Sequence, residues 1–428
     1  MKTHSWIAVM AFAAAACTRG EVVRIEPTVP TEPTVPTEPP ARMTQPMVRV
    51  GITLDTTSVV ISGTTEYEIR TQAGDALIRS QAGESWTFFV ENNRFRARSS
   101  TGRELGPAGA PVLVTPREGG MVAISGKHYR GTAFLRITDE GKVNAINVVD
   151  IEEYLKGVVP FEIGARPPEL IEAVKAQAVA ARTYAIGNMS RWESRGFDFV
   201  ATVQDQVYGG VSGEDSISTR AIAETSGEIV SYEGKPIQAY YSSTCGGRTA
   251  AAEDSWPWRP GQPYLKSISD TIPGTTRAYC EASNRFRWSV AWTQDSLRSI
   301  LERSLTARLR RPMTIRRIES VELTGRSPSG RAQAVRIRAD GESHSVPADS
   351  IRWVLRPTPN GSLNSALILD LKSHEENGAM SRLEIHGAGW GHAIGMCQFG
   401  ALGRARAGHS YRDILTAYYS GTRIDRIY

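Results

Sequence analysis

Residues 150–185 read DIEEYLKGVVPFEIGARPPELIEAVKAQAVAARTYA, and the rest of the chain is organised around them. Asp150, with Glu153 three residues on, forms an acidic variant of the capping box, so a helix is expected to start at Ile151. Pro160 is expected to stop it. Pro167 and Pro168 stand where a second helix would begin, because a first turn has no use for their missing N–H. From Leu170 onward Val174, Ala178, Ala181 and Ala185 recur at helical spacing, with Lys175 and Arg182 on another shared face. The short apolar turn between the helices holds one carboxylate, Glu162, beside Val158, Val159 and Phe161. An apolar shell raises a carboxyl pKa, as a general acid requires. Glutamates are ordinarily surface residues, however, so spacing alone does not make this one catalytic.

Working outward, residues 1–17 (MKTHSWIAVMAFAAAAC) carry Lys2 and then an apolar run too short to cross a bilayer. This pattern reads as a secretory signal. Its Ala-Ala-Ala-Cys end resembles a bacterial lipoprotein cleavage site with Cys17 as the acylated residue, although Ala replaces the usual Leu three positions before the cysteine. Residues 18–46 contain TVPTEP twice in tandem, and proline at that density favours an extended tether without a core. The expected location is therefore an exported, membrane-anchored lipoprotein facing the periplasm or the outer cell surface. Residues 47–130 are β-rich, with runs such as VRVGITL, SVVISG, YEIRT, WTFFV and FRARS broken by turn residues. MVAIS and FLRIT follow, and Asp139-Glu140-Gly141 reads as a hairpin turn before KVNAINVV. Beyond the helical stretch, residues 290–385 mix a helix near 294–305 with further strands and carry no motif. The fold class expected from these patterns is α+β.

The chain has 428 residues and a formal net charge of +5. That mild basicity suits an anionic polymer such as a wall glycan, but no basic cluster interleaved with aromatics argues for nucleic acid. The glycines after the strand near Leu383–His386 fail the GxGxxG spacing, which excludes a dinucleotide loop. No GxSxG elbow supports a serine hydrolase. Besides Cys17 there are Cys245, Cys280 and Cys397. A Cys245–Cys280 disulfide is expected, closing a loop of about 35 residues for roughly 3 kcal/mol, with Cys397 left buried and inert. The rival is zinc, with the thiolates of Cys245 and Cys280 joined by His386 or His392. No CxxC or HExxH spacing supports it, so no metal and no other cofactor is expected.

Four blocks, EEYLKGVVPFEI (152–163), AVKAQAVAARTYA (173–185), AYYSSTCGGRTA (239–250) and GWGHAIGMCQFGA (389–401), together resemble the SpoIID/LytB family. Its members include stage II sporulation protein D and amidase-enhancer proteins. The resemblance implies that residues 131–428 form a SpoIID-like domain with a cleft. It further implies a lytic transglycosylase that cleaves peptide-stripped glycan strands of peptidoglycan and leaves 1,6-anhydro-MurNAc ends. The family's catalytic glutamate maps onto Glu162. Lys175 and Arg182 would orient Glu162 or a sugar carboxylate, and Tyr208, Ser242, Ser243, Trp390, His392 and Gln398 would bind or stack on sugars. The alternative is a non-catalytic enhancer that binds wall glycan or a cell-wall amidase.

Overall fold

The computed structural model describes residues 40–376 and 379–428. The signal segment, Cys17 and most of the expected tether lie outside the described residues. The end of the expected tether already contacts the folded unit, since Met43 N–H donates to the Ile427 carbonyl at 2.8 Å.

Apolar and polar residues alternate in many of the strands between Met47 and Asp150, which present one face to an interior, whereas Val122–Ile124 and most of Val143–Asp150 are buried on both faces. A seven-stranded sheet has the order Phe199–Val200, Met47–Thr56, Val143–Asp150, Thr132–Ile137, Val112–Pro116, Tyr67–Thr71, Ala76–Ser80. A six-stranded sheet runs Lys127–Tyr129, Val122–Ile124, Ser58–Gly63, Ser85–Glu91, Arg94–Ser99, Glu104–Ala108. Val50, Ile69, Val114 and Leu135 of the first sheet share one core with Ile61, Trp86, Phe88 and Phe95 of the second. Thr132–Ile137 pairs with Val112–Pro116, so the first sheet continues across residue 130. With helices added to several sheets, the fold is α+β.

Helix α1 (Ile151–Lys156) starts where its cap dictates, the Asp150 carboxylate accepting from the backbone N–H groups of Glu152 and Glu153 at 2.8 and 3.4 Å. Pro160 does not end it. The break comes at Gly157, where a Cβ would lie 2.6 Å from the Tyr208 ring and 2.9 Å from the Gly210 carbonyl oxygen. Pro160 instead occupies the first turn of α2 (Val159–Ile163), so Glu162 is carried on a short helix and not in an irregular turn. A 3₁₀ turn at Pro168–Leu170 then leads into α3 (Ile171–Gly187). Twelve of its 17 residues are buried, so α3 is enclosed on nearly every side. Its alanines let the helices Ser216–Glu224, Gln398–Arg406 and Tyr411–Tyr418 and the strand Glu228–Tyr232 pack around it.

Residues 287–388 hold a second core, where the helix Gln294–Leu309 packs with two three-stranded sheets through Leu297, Leu301, Val335, Ile337, Leu383 and Ile385. The strand Ala379–Ala388 returns the chain to the first core. There Met396–Cys397 pairs in parallel with Tyr241–Ser242, and the helix Gln398–Arg406 follows directly. That helix lies hard against the segment bearing Cys280. A Cβ on Gly403 would be 2.0 Å from the Tyr279 carbonyl oxygen, which is backbone and has little room to give. Gly403→Ala is therefore expected to destabilise the fold by about 2 kcal/mol or more, read as a lower urea midpoint.

Candidate active site

Glu162 is the centre of the arrangement. Its backbone is set by α2, whose N–H at Glu162 donates to the Val158 carbonyl at 3.0 Å. One carboxylate oxygen accepts from Val207 N–H at 3.0 Å, and the side-chain donors of Gln398 and Tyr241 stand beside the group and favour its ionised form. Burial pushes its pKa from the usual 4.5 up to about 7, against these three donors, which pull it down. Next to it Phe161 is 42% exposed, its ring lying over Gly209 and Gly213, where any Cβ would collide with it at 2.1 and 2.3 Å.

The donors are oriented by a buried relay. The Tyr154 hydroxyl donates to Gln206 Oε1 at 3.1 Å, and Gln206 Nε2 donates to the Tyr241 hydroxyl at 2.9 Å. The Tyr241 oxygen already accepts from Gln206, so its proton is free to point at Glu162. Gln206 is 1% exposed, with Nε2 also reaching the Ala181 carbonyl at 3.3 Å. On the other side Gln398 Nε2 donates to Gln177 Oε1 on α3 at 3.3 Å. Neither Gln206 nor Tyr241 is among the site residues that the family resemblance implies, although Tyr241 lies within the AYYSSTCGGRTA block and Gln206 stands two residues before Tyr208.

The residues expected around Glu162 divide into two groups. Gln398 reaches it, and Ser242, Ser243 and Trp390 lie on segments neighbouring Tyr241. Ser242 Oγ accepts from Ala393 N–H at 3.1 Å, the Ser243 carbonyl accepts from Phe399 N–H at 3.0 Å, and Trp390 and Thr244 exchange backbone hydrogen bonds. Trp390 is 44% exposed, with the Arg285 guanidinium 5.4 Å from its ring. His392 packs 4.9 Å from the Trp256 ring, and its Nδ1 accepts from Ile394 N–H at 3.0 Å. Burial pushes its pKa down to about 3, so the imidazole is neutral at physiological pH.

Lys175, Arg182 and Tyr208 are placed otherwise. Arg182 is fully buried and makes a two-pronged pair with Glu152 at 2.8 and 2.7 Å, with further bonds to the carbonyls of Glu228 and Ile222. Lys175 bridges Glu172 and Glu224 at 2.9 and 2.7 Å. Both cations therefore clamp α3 to its neighbours, and neither is aimed at Glu162. Tyr208 is 5% exposed, packs on Tyr129 and Tyr154, and donates to Asn147 Oδ1 at 2.8 Å. Its hydroxyl holds the loop to the seven-stranded sheet, and the neighbouring Val207 N–H is thereby set toward the carboxyl group.

The expected Cys245–Cys280 disulfide is not formed. All three described cysteines are free and buried, and the Sγ atoms of Cys245 and Cys280 are 3.6 Å apart, against about 2.05 Å in a disulfide. Cys397, expected to be isolated, lies in the same cluster together with Asp270. His386 is exposed and His392 is engaged elsewhere, so neither joins them.

A carboxyl of pKa about 7 beside three neutral donors can chemically both give and take a proton near neutral pH. Comparison with known proteins agrees with the sequence motifs. Residues 139–232 match the family model described as stage II sporulation protein, and residues 266–395 match a domain of unknown function (DUF8618). An uncharacterized protein of Brachyspira hyodysenteriae is 31% identical over 70% of this chain and 72% of its own. The amidase enhancer of Bacillus subtilis is 31% identical over 71% of this chain and 45% of its own. Stage II sporulation protein D of the same organism is 28% identical over 65% and 76%. The chain belongs to the SpoIID/amidase-enhancer family, and its function is related to the cell wall.

Because the pKa of Glu162 is raised on folding, its favourable share of stability is present below about pH 4.5 and is lost as pH rises through about 7. Glu162→Gln removes that loss while keeping an oxygen for Val207 N–H. The variant is expected to exceed the wild type by about 2–3 kcal/mol at pH 8 and to match it near pH 4.5, as read from urea unfolding at the two pH values. Arg182→Met strands the Glu152 carboxylate and is expected to cost about 3–5 kcal/mol in the same assay.

Proposed function

We propose that this protein is a lytic transglycosylase that cleaves peptidoglycan glycan strands, peptide-stripped ones in preference, and leaves 1,6-anhydro-MurNAc ends. The observation that carries this reading is Glu162, a carboxyl with a pKa of about 7 that accepts from Val207 N–H beside Tyr241 and Gln398. At neutral pH a comparable fraction of the group is protonated and ionised, so one residue can act first as acid and then as base. As acid, Glu162 protonates the glycosidic oxygen between MurNAc and GlcNAc while the C1–O bond breaks. As carboxylate, it takes the proton of the MurNAc 6-hydroxyl as that oxygen bonds to C1 and closes the anhydro ring. A hydrolase needs a second carboxyl to activate water or to form an adduct. Tyr241, Gln398 and Val207 N–H stabilise the carboxylate between the two proton transfers. Exposed Phe161 and Trp390 offer flat apolar faces for sugar rings. The N-terminal signal, Cys17 and the proline-rich segment fit export and lipid anchoring, with the domain reaching the wall on a tether.

A second reading is favoured by one observation, the similarity to a protein named amidase enhancer. In that case the surface around Glu162 binds glycan or a wall amidase without cleaving.

Mass spectrometry of amidase-stripped glycan strands incubated with wild type and Glu162→Gln separates the two. Anhydro-ended fragments from wild type, reduced about 10²–10⁴-fold in the variant, are expected. Reducing ends would mean hydrolysis, and no product from folded wild type would move the assignment to the enhancer role. The cleavage step needs protonated Glu162, so kcat/KM is expected to fall tenfold per unit above about pH 7. Tyr241→Phe removes a donor that favours the carboxylate, so the alkaline limb is expected to move to higher pH.

A further inference from the structure

Cys245, Asp270, Cys280 and Cys397 are 0–1% exposed, and one ligand atom from each lies within 4.8 Å of all the others. Four ligands around zinc with zinc–sulfur bonds of about 2.3 Å stand about 3.7 Å apart. The Cys245–Cys280 separation of 3.6 Å and the Cys245 Sγ to Asp270 Oδ2 separation of 3.4 Å match the edges of that tetrahedron. From these distances we infer that the cluster is a closed structural zinc site of Cys₃Asp type. It stands independently of the reaction proposed above.

Its surroundings are those of metal-bound thiolates. Cys397 Sγ accepts from the backbone N–H of Cys245 at 3.1 Å and of Gly400 at 3.3 Å, while the backbone amides of Gly246 and Gly247 lie beside Cys280. Gly246 and Gly247, at φ of 80° and 111°, adopt the backbone that turns those amides toward the sulfur. Asp270 Oδ1 is oriented by the Tyr418 hydroxyl at 2.7 Å and Arg404 Nη2 at 3.2 Å, leaving Oδ2 toward the sulfurs. Charge also balances. Three thiolates and a carboxylate carry four negative charges, and a divalent cation leaves two. Arg404 offsets one. The other is offset by Arg331, 1% exposed, whose Nη2 donates to the Cys245 carbonyl at 2.9 Å and whose Nε and Nη1 have no hydrogen-bond partner among the described residues. All four ligands come from protein, so no position is open for catalysis, and the metal would act as a staple.

The site ties three loops together beside the candidate active site. Cys397 directly precedes Gln398, and Cys245 follows Tyr241 by four residues, so the metal would fix two of the donors to Glu162.

The test is the metal content of the full chain, purified without chelator, by mass spectrometry, alongside Cys397→Ser. About one zinc per chain is expected in wild type, with a loss of fivefold or more in the variant. Wild type stripped of metal under reducing conditions and reloaded with Co²⁺ is expected to show sulfur-to-cobalt charge transfer and the strong visible bands of a tetrahedral site. That measurement does not depend on any variant folding. Zinc no higher than in Cys397→Ser, a cobalt spectrum without thiolate bands, or a Cys245–Cys280 disulfide in freshly trapped protein would each overturn the assignment. None of these readouts involves glycan cleavage.

Discussion

A carboxyl group removed from water has to keep hydrogen-bond partners, and much of this fold follows from how Glu162 keeps its own. Its donors come from three places far apart in the chain: the loop at Val207, the short strand at Tyr241 and the first turn of the helix Gln398–Arg406. Each is anchored separately. The Val207 loop is held by Tyr208 on Asn147 and by Gly209 N–H on the Gly157 carbonyl. Tyr241 is held by Gln206, and Gln398 by Gln177 on α3. The donors are neutral, so they temper the burial without cancelling it, and the pKa settles near 7 in place of an ordinary carboxylate value.

Local chemistry in the sequence was enough to locate much of this. Asp150 caps α1 because an aspartate can accept from two free N–H groups within three residues. The alternating runs form strands for an equally local reason, and Gly141 turns the hairpin between Ile137 and Val143 at a φ of 72°. The errors lie where distant chain decides. Pro160 looked like a stop, yet proline is tolerated in a first turn, and the break at Gly157 exists because Tyr208 packs there. Arg182 and Lys175 stand seven residues apart as a shared face requires, but Glu152, and Glu224 beside the local Glu172, are supplied by other helices. Tyr208 is expected from the resemblance to bind or stack on a sugar. It is the buried anchor of a loop whose working group is a backbone N–H, which has no signature in sequence.

The cysteines went astray for a related reason. Pairing by proximity in sequence favours Cys245 with Cys280 and leaves Cys397 over, whereas the parallel pairing of Tyr241–Ser242 with Met396–Cys397 brings the third thiol to the first. Asp270 is invisible to any such count, being one carboxylate among many until Tyr418 and Arg404 fix its orientation.

The two centres share their supports. The parallel bridge that sets Cys397 against Cys245 is the same one that carries Tyr241 and leads into Gln398, two of the donors to Glu162. Gly400 and Gly403 keep the helix Gln398–Arg406 close to Asp270 and Tyr279, since a Cβ at either would overlap them at 2.4 and 2.0 Å. A shift of this helix would therefore disturb the sulfur cluster and the Gln398 donor together. Burial raises the pKa of Glu162, and Cys397, directly before Gln398, and Cys245, four residues after Tyr241, sit in the segments that carry two of its donors. Those residues need touch no substrate to matter for the chemistry.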